Sequence, residues 1–338
     1  MKLYGGIDLH SNNVVASLID EQDRVVYERR LPNDLGVILG ELGPFSDGVE
    51  GLVVESTFNW YWLVDGLQAA GYRVHLANTA AIKQYAGLKH TDDHSDARWL
   101  AHLLRLGILP EGYIYPREAR AVRDLLRKRS QLVRQRTANL LSLHNLFARQ
   151  TGGRLSANRV KRLSDEELGE LLPEPSIALA GTSNLAVMRC LDEQIAALEK
   201  RVLELTRGQP MYQSLLTVCG IGRVLALTIT LETGAIARFA RVGQFASYCR
   251  CVDSQKLSNG KKKGEGNEKS GNRFLAWAFI EAANFAVRYE PRVKSFYQRK
   301  RARTNAIVAM KATAHKLARA CYYVMRDGVP FDVTKAFA

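Results

Sequence analysis

The chain has 338 residues, 46% of them hydrophobic and 24% charged, a balance that excludes intrinsic disorder and leaves room for two or three packed domains. Its net charge of +14 is unevenly placed: residues 1–112 hold 9 basic and 15 acidic side chains, or −6, which leaves +20 for residues 113–338. Five scattered cysteines without a C-x-x-C pair exclude a disulfide framework and a zinc site, and with no long apolar run a soluble cytoplasmic protein with no membrane partner is expected. From Met1 an apolar run reaches Asp8, small polar residues follow, and a second apolar run covers Val14 to Ile19, which predicts a hairpin with a carboxylate at its heart. Burying that carboxylate alone is costly, so Asp8 needs a cation, a set of donors or a metal. A third strand is predicted over Arg24 to Leu31 and a short helix from Asn33 or Asp34, closed by Gly43-Pro44. Gly51 to Glu55 reads as a buried strand ending in an acid, Trp60 to Ala70 as a helix, Val74 to Asn78 as a strand, and Thr79 as the cap of a helix to Tyr85. Strands alternating with helices after an antiparallel opening imply a mixed sheet covered by helices.

The segment Lys89 to Arg98 leads into a helix whose apolar face is Leu100, Leu103 and Leu104. Asp93 and Asp96 stand three apart and point the same way on such a helix, where like charges repel unless a cation lies between them. Asp92 competes with Asp93 for this role. A long helix from Arg117 to about Arg149 carries eight cations between Arg117 and Arg136, with apolar residues at three- and four-residue steps, so one stripe packs and the other suits phosphates. Gly152-Gly153 begins a hinge with a short helix at Asp165 to Leu172, and Met188, Leu191, Ile195, Leu198, Val202 and Leu205 form a heptad seam that expects a partner helix. Three domains follow from this pass: 1–152, 153–209 and 210–338. The last opens on Gly220-Ile-Gly222, a helix-hairpin-helix pattern whose backbone N–H groups suit a phosphate. Gln255 to Arg273, with four glycines and six basic residues, is read as a mobile cationic loop. Helices over about Phe274 to Arg288 and Thr304 to Met325 are joined by Arg288 to Arg303, which holds seven basic residues.

Four acids form the chemical constellation. An Asp on a first strand (Asp8), an acid ending a later strand (Glu55) and acids on a following helix (Asp93, Asp96) are the way an RNase H-like α/β fold gathers carboxylates around two Mg²⁺ ions for phosphodiester chemistry. The order Gly-Ile-Asp8, Val-Glu55 and Thr-Asp-Asp93-His-Ser-Asp96-Ala-Arg is followed by Gly-Ile-Gly222, a Gly- and Lys-rich loop, Lys-Ser-Gly-Asn-Arg273 and Gly-Val-Pro-Phe331-Asp332. Together these resemble the DEDD transposases of the Piv and insertion-sequence-110 type along nearly the whole chain.

The resemblance implies a RuvC-like first domain with a mixed sheet, a helical coiled-coil segment and a mainly helical transposase domain. It also implies Mg²⁺ held by Asp8, Glu55, Asp93 and Asp96, and a serine nucleophile whose closest match is Ser258, with Ser254 as its competitor. The partners implied are double-stranded donor and target DNA, a structured non-coding bridge RNA, and further copies of the chain in a homodimer or homotetramer in the bacterial cytoplasm at the nucleoid. Two other readings fit the acids: a RuvC-like junction resolvase or nuclease that cuts with metal-activated water, and a nucleic-acid-binding protein without chemistry.

Overall fold

In the computed structural model, residues 1–82, 92–252, 255–265 and 270–338 are described. The chain divides into two compact units, one built on Met1–Arg117 and the other on Glu118–Gly266 and Gly271–Ala338.

The first unit is a five-stranded mixed sheet. Strands β1 (Leu3–Leu9), β2 (Asn13–Ile19) and β3 (Val25–Pro32) form the antiparallel meander that the apolar runs predict; helix α1 (Leu35–Leu42) follows, capped by Asp34. Then come β4 (Val49–Glu55), α2 (Tyr61–Ala69), β5 (Val74–Ala77) and α3 (Asp93–Arg105). Spatial order is β3-β2-β1-β4-β5, with β4 parallel to both β1 and β5. Parallel pairing needs a crossover, and the chain from β3 to β4 through α1 supplies it. The expected helix from Thr79 to Tyr85 begins with a turn at Thr79–Ala81 and then runs outside the described residues.

Alternation along the strands divides the sheet's two faces. Leu3, Ile7 and Leu9 of β1 join Val14, Ala16 and Leu18 of β2 and Leu52 and Val54 of β4 in a core with Ile38, Leu42, Leu63 and Leu67 from α1 and α2. The opposite face presents Gly6 and Asp8 of β1 and Val53 and Glu55 of β4 to α3. Here Gly6 is required by close packing: a Cβ on it would lie 1.9 Å from the carbonyl oxygen of Ala97 and 2.8 Å from the amide nitrogen of Ala101. The helix therefore rests directly on the strand.

The second unit is helical. It opens on α4 (Arg117–Thr151), then α5 (Ala157–Val160), α6 (Asp165–Leu171) and α7 (Pro175–Thr206). Arg129 pairs with Glu199 at 2.7 Å and Arg136 with Asp192 at 2.7 Å, so the partner numbers rise on α4 as they fall on α7 and the two helices run antiparallel. The buried positions of α7 are Gly181, Leu185, Met188, Ile195, Val202 and Thr206. The expected seam shares Met188, Ile195 and Val202 with them, but Leu191 and Leu198 are only half-buried and Leu205 is exposed. Asp192 and Glu199 take the intervening seam positions because arginines of α4 face them.

The remaining helices are α8 (Pro210–Leu215), α9 (Arg223–Thr233), α10 (Val242–Tyr248), α11 (Arg273–Tyr289), α12 (Pro291–Arg303), α13 (Ala306–Asp327) and α14 (Val333–Ala336). They enclose a second core that includes Leu225, Ile229, Phe245, Leu275, Phe279, Leu317 and Cys321. A Cβ on Gly220, at φ +82°, would lie 2.2 Å from the Ala282 carbonyl oxygen, so this glycine lets the turn before α9 pack on α11. The segment expected to be a mobile loop instead contains a strand pair, β6 (Gln255–Ser258) and β7 (Lys261–Glu265), joined at Asn259-Gly260 with both residues at positive φ, as a tight hairpin turn demands. The stretch Arg288 to Arg303, expected as a basic link, is mostly α12. No helix among the described residues is long and apolar enough to cross a membrane.

Candidate functional site

Asp8 sits near the end of β1 and Glu55 ends β4. The parallel register pairs Ile7 with Val54, which brings the two acids side by side on the face that α3 covers. Asp96, in the first turn of α3, comes over the same spot because Gly6 admits the helix. The result is a cavity of about 290 Å³ lined by Asp8, Glu55, Asp96, Thr79, Ile82, Trp99 and Leu100. Three of the four predicted acids thus meet in one place.

Crowding shows in their protonation. Burial, a hydrogen bond with Asp8 and the charges of Asp8 and Asp96 push the Glu55 carboxyl up to about 8. Burial and the neighbouring carboxylates of Asp8, Asp93 and Asp92 raise Asp96 as well. Glu55 and Asp96 therefore bind protons more tightly than free carboxyls do, and a cation in the cavity would compete with those protons.

Asp93 does not line that cavity, but it offers a carboxylate oxygen within 4.8 Å of one of Asp8. One of its carboxylate oxygens accepts from Arg30 of β3 at 2.5 Å and the other lies 3.3 Å from His10 Nε2. The Arg30 hydrogen bond, followed by the His10 charge, holds this carboxyl below the usual range. Asp93 thus faces Arg30 and His10, and Asp96 faces the acids of the cavity. Asp92 is the N-cap of α3, accepting from the Ser95 amide at 2.7 Å while its own amide donates to Ser95 Oγ at 3.0 Å.

His10 is the site residue that sequence reasoning missed. Its Nε2 lies 3.1 Å from Asp8 Oδ2, and Asp8, His10 and Asp93 offer ligand atoms all within 4.8 Å of one another. The loop that carries it is built rather than loose: Asn33 and Asn59 each donate a side-chain N–H to the His10 carbonyl, at 3.1 and 3.0 Å. The available signal was the Asp8-x-His10 spacing at a strand end. Asp8 belongs to both groupings, the acid cavity and the His10–Asp93 cluster.

The donors fit a divalent cation. The cavity set is all carboxylate oxygen, which suits a hard ion such as Mg²⁺ or Mn²⁺, and the raised carboxyls of Glu55 and Asp96 mark crowded negative charge that such an ion would neutralise.

Ser258 lies in the second unit, exposed at the end of β6 and paired in register with Lys261. Ser254 lies outside the described residues. The end of the same segment is firmly anchored. Gly271, at φ +86°, leaves no room for a Cβ beside the Tyr248 carbonyl, and Asn272 accepts from the amides of Phe274 and Leu275 while donating to the buried Glu232 at 2.7 Å. Glu232 also takes a two-pronged bond from Arg127 of α4, at 2.6 and 2.7 Å. Within the motif, Gly271-Asn272-Arg273 is thus a helix cap joined to the buried Glu232 and its ion pair with Arg127.

Comparison with known proteins agrees with this layout. Residues 5–150 match a family described as transposase, of the DEDD type associated with IS110, and residues 212–298 match the transposase IS116/IS110/IS902 family. A probable family 20 transposase of Pseudomonas aeruginosa is 28% identical over 242 residues, covering 68% of each chain. The transposase for insertion sequence element IS1111A of Coxiella burnetii is 24% identical over 335 residues, 96% of this chain and 87% of that protein. An IS110 insertion-element protein of Streptomyces coelicolor is 24% identical over 188 residues, 53% of this chain and 46% of its own.

Proposed function

The chain belongs to the IS110/IS1111 family of transposases, and on that premise we propose that it cuts DNA during transposition by metal-dependent phosphodiester cleavage at the cavity of Asp8, Glu55 and Asp96. The observation that carries this reading is the convergence of three acids from β1, β4 and α3 on one cavity, where the carboxyls of Glu55 and Asp96 are raised. Asp8, Glu55 and Asp96 would hold the ion, and Asp8 with His10 and Asp93 would hold a second. A bound Mg²⁺ supplies Lewis-acid activation of the phosphate and lowers the pKa of its water. Within the chain, Asp8 and Glu55 position the ligand oxygens, Asp96 closes the cavity from the helix, and Trp99 and Leu100 limit access of bulk water.

The nucleophile most directly supported is water, since the acids and cavity all lie in the first unit. A finer reading, carried over from the family resemblance, gives the attack to Ser258: its Oγ bonds to phosphorus, its proton passes to a base, and the P–O bond to the departing strand breaks, leaving a phosphoserine that a second strand later displaces. Its exposure opposite Lys261 of β7 supports that reading. Guidance by a bridge RNA, assembly of several copies and work at the bacterial nucleoid belong to the same finer proposal.

The test is cleavage of a plasmid carrying the element's ends, with its adjacent non-coding RNA and Mg²⁺. Asp8→Asn or Asp96→Asn is expected to lower cleavage roughly 100-fold or more without loss of DNA retention. Full activity in either variant overturns the assignment of the cavity. A denaturant-resistant protein–DNA adduct that disappears in Ser258→Ala identifies the serine as nucleophile, and cleavage without any adduct identifies water.

A further inference from the structure

Helix α11 buries Leu275, Ala278, Phe279, Ala282, Ala283 and Ala286 along one side. The same helix exposes three aromatic rings, Trp277 at 42%, Phe285 at 44% and, at its last residue, Tyr289 at 71%. At 100° per residue Phe285 and Tyr289, four apart, stand about 40° from each other round the helix, with Trp277 about 80° beyond Phe285. The Phe285 and Tyr289 rings lie nearly parallel, 10° apart with centroids 6.5 Å from each other, and the Arg288 guanidinium stands 6.0 Å from the Tyr289 centroid. Glu281, half-buried, lies between Trp277 and Phe285 round the helix.

The next helix, α12, carries Arg292, Lys294, Arg299, Lys300, Arg301 and Arg303 and contains no Asp or Glu. Among the described residues none of these six cations forms an ion pair, although Arg299 donates to Ser295 Oγ at 3.1 Å. The cations of α4 are spent differently, with Arg127, Arg129 and Arg136 each bound to a carboxylate of the same unit.

We infer that the exposed ring pair of Phe285 and Tyr289 on α11, with the cations of the following helix α12, is a platform for the unpaired nucleotides of a nucleic-acid strand. Large exposed apolar rings call for a partner. The neighbouring unpaired cations require that partner to be a polyanion, and the parallel rings require it to offer flat π faces. Duplex DNA meets the first requirement but hides its base faces in the stack. An unstacked strand meets both. The inference deepens the reading of the chain as a nucleic-acid enzyme by naming a strand-binding surface, and it does not depend on the acid cavity.

The experiment measures binding alone, on the full chain in EDTA so that the failure of the cleavage reading stays separate. The probes are a fluorescein-labelled 20-nucleotide oligo-dT and a 20-base-pair duplex. Phe285→Ala/Tyr289→Ala is expected to weaken oligo-dT binding roughly 10-fold or more and duplex binding less than about 2-fold, with Phe285→Tyr/Tyr289→Phe restoring the wild-type value. Arg299→Ala/Arg301→Ala is expected to weaken both probes and reduce the slope of log affinity against log salt by about 1.5. Tyr289→Ala alone, at the most exposed of the three rings, keeps the test open if the double variant does not fold, with a drop of about 3-fold or more expected for oligo-dT. Unchanged oligo-dT binding in the aromatic variants, equal losses for both probes, or conversion of a self-associated wild type to monomer by the aromatic change would each overturn the inference.

Discussion

Glu55 is the residue whose chemistry is most distorted by its neighbours. The ordinary value of 4.5 is raised to about 8 by burial and by Asp8 and Asp96. Between those two pH values the folded chain keeps a proton that the unfolded chain has released. Raising the pH through that window therefore favours unfolding, and the stabilising effect of the held proton is lost as pH passes through about 8. Glu55→Gln mimics the protonated side chain at every pH. In EDTA its melting temperature is expected to exceed the wild type's by a few degrees near pH 8.5, with the gap closing near pH 4.5. Added Mg²⁺ is expected to reverse the order at pH 8.5 by raising the wild type's melting temperature more than the variant's. Calorimetric melting at the two pH values, with and without the ion, checks both parts, and a pH-independent gap would show that the three acids are not electrostatically linked.

Helix α3 is the element that turns separate acids into a site. Close packing at Gly6 brings it onto the sheet, and a row of ion pairs holds it there: His94 and Arg98 bind Glu28 of β3, at 3.1 and 2.8 Å, while His102 and Arg105 bind Asp23 of the β2–β3 turn. Gly6→Ala is expected to force the helix away, destabilising the first unit by about 3 kcal/mol through overpacking against backbone and weakening Mn²⁺ binding in titration. A wild-type melting curve in that variant would show that the contact yields without cost. The strands and the Asp8–Glu55 pairing were legible because apolar runs ending in acids are local signals. The contact of Asp93 with Arg30 was not, since Arg30 lies 63 residues from Asp93 and its pull leaves no trace in local spacing. The seam of α7 shows the same limit. Leucine spacing pointed to Leu191, Leu198 and Leu205, whereas the contacts with α4 between the buried Met188, Ile195 and Val202 run through the more exposed Asp192 and Glu199, which Arg136 and Arg129 face. Arg136→Asp is accordingly expected to lower stability by about 1 kcal/mol, and adding Asp192→Arg to recover at least half of it, as read by chemical denaturation.

Across the whole molecule, the charge division seen in the sequence, −6 over residues 1–112 and +20 beyond, separates a unit able to hold cations from one able to hold polyanions. Raw charge nevertheless overstates the polyanion surface of α4. Arg120 and Arg123 are buried, and Arg127, Arg129 and Arg136 are neutralised by Glu232, Glu199 and Asp192, so the eight cations that looked like a phosphate-tracking stripe serve largely to fasten the helix. Counterion release depends on cations that meet phosphates, not on cations that the protein has already paired. Two consequences can be measured together in a salt titration of duplex binding. Arg129→Gln/Arg136→Gln is expected to lower the melting temperature yet leave the slope of log affinity against log salt within about 0.5 of the wild type, because no phosphate contact is lost. Exchanging Mg²⁺ for EDTA is expected to abolish cleavage and to leave that slope, read over the same monovalent salt series, equally unchanged, since the ion meets acids of the first unit while the net positive charge lies beyond residue 112. A slope that fell by about 1.8 in the arginine variant would return those two side chains to the nucleic-acid surface. A slope that collapsed in EDTA would mean that the acids of the first unit hold the strand as well as the metal.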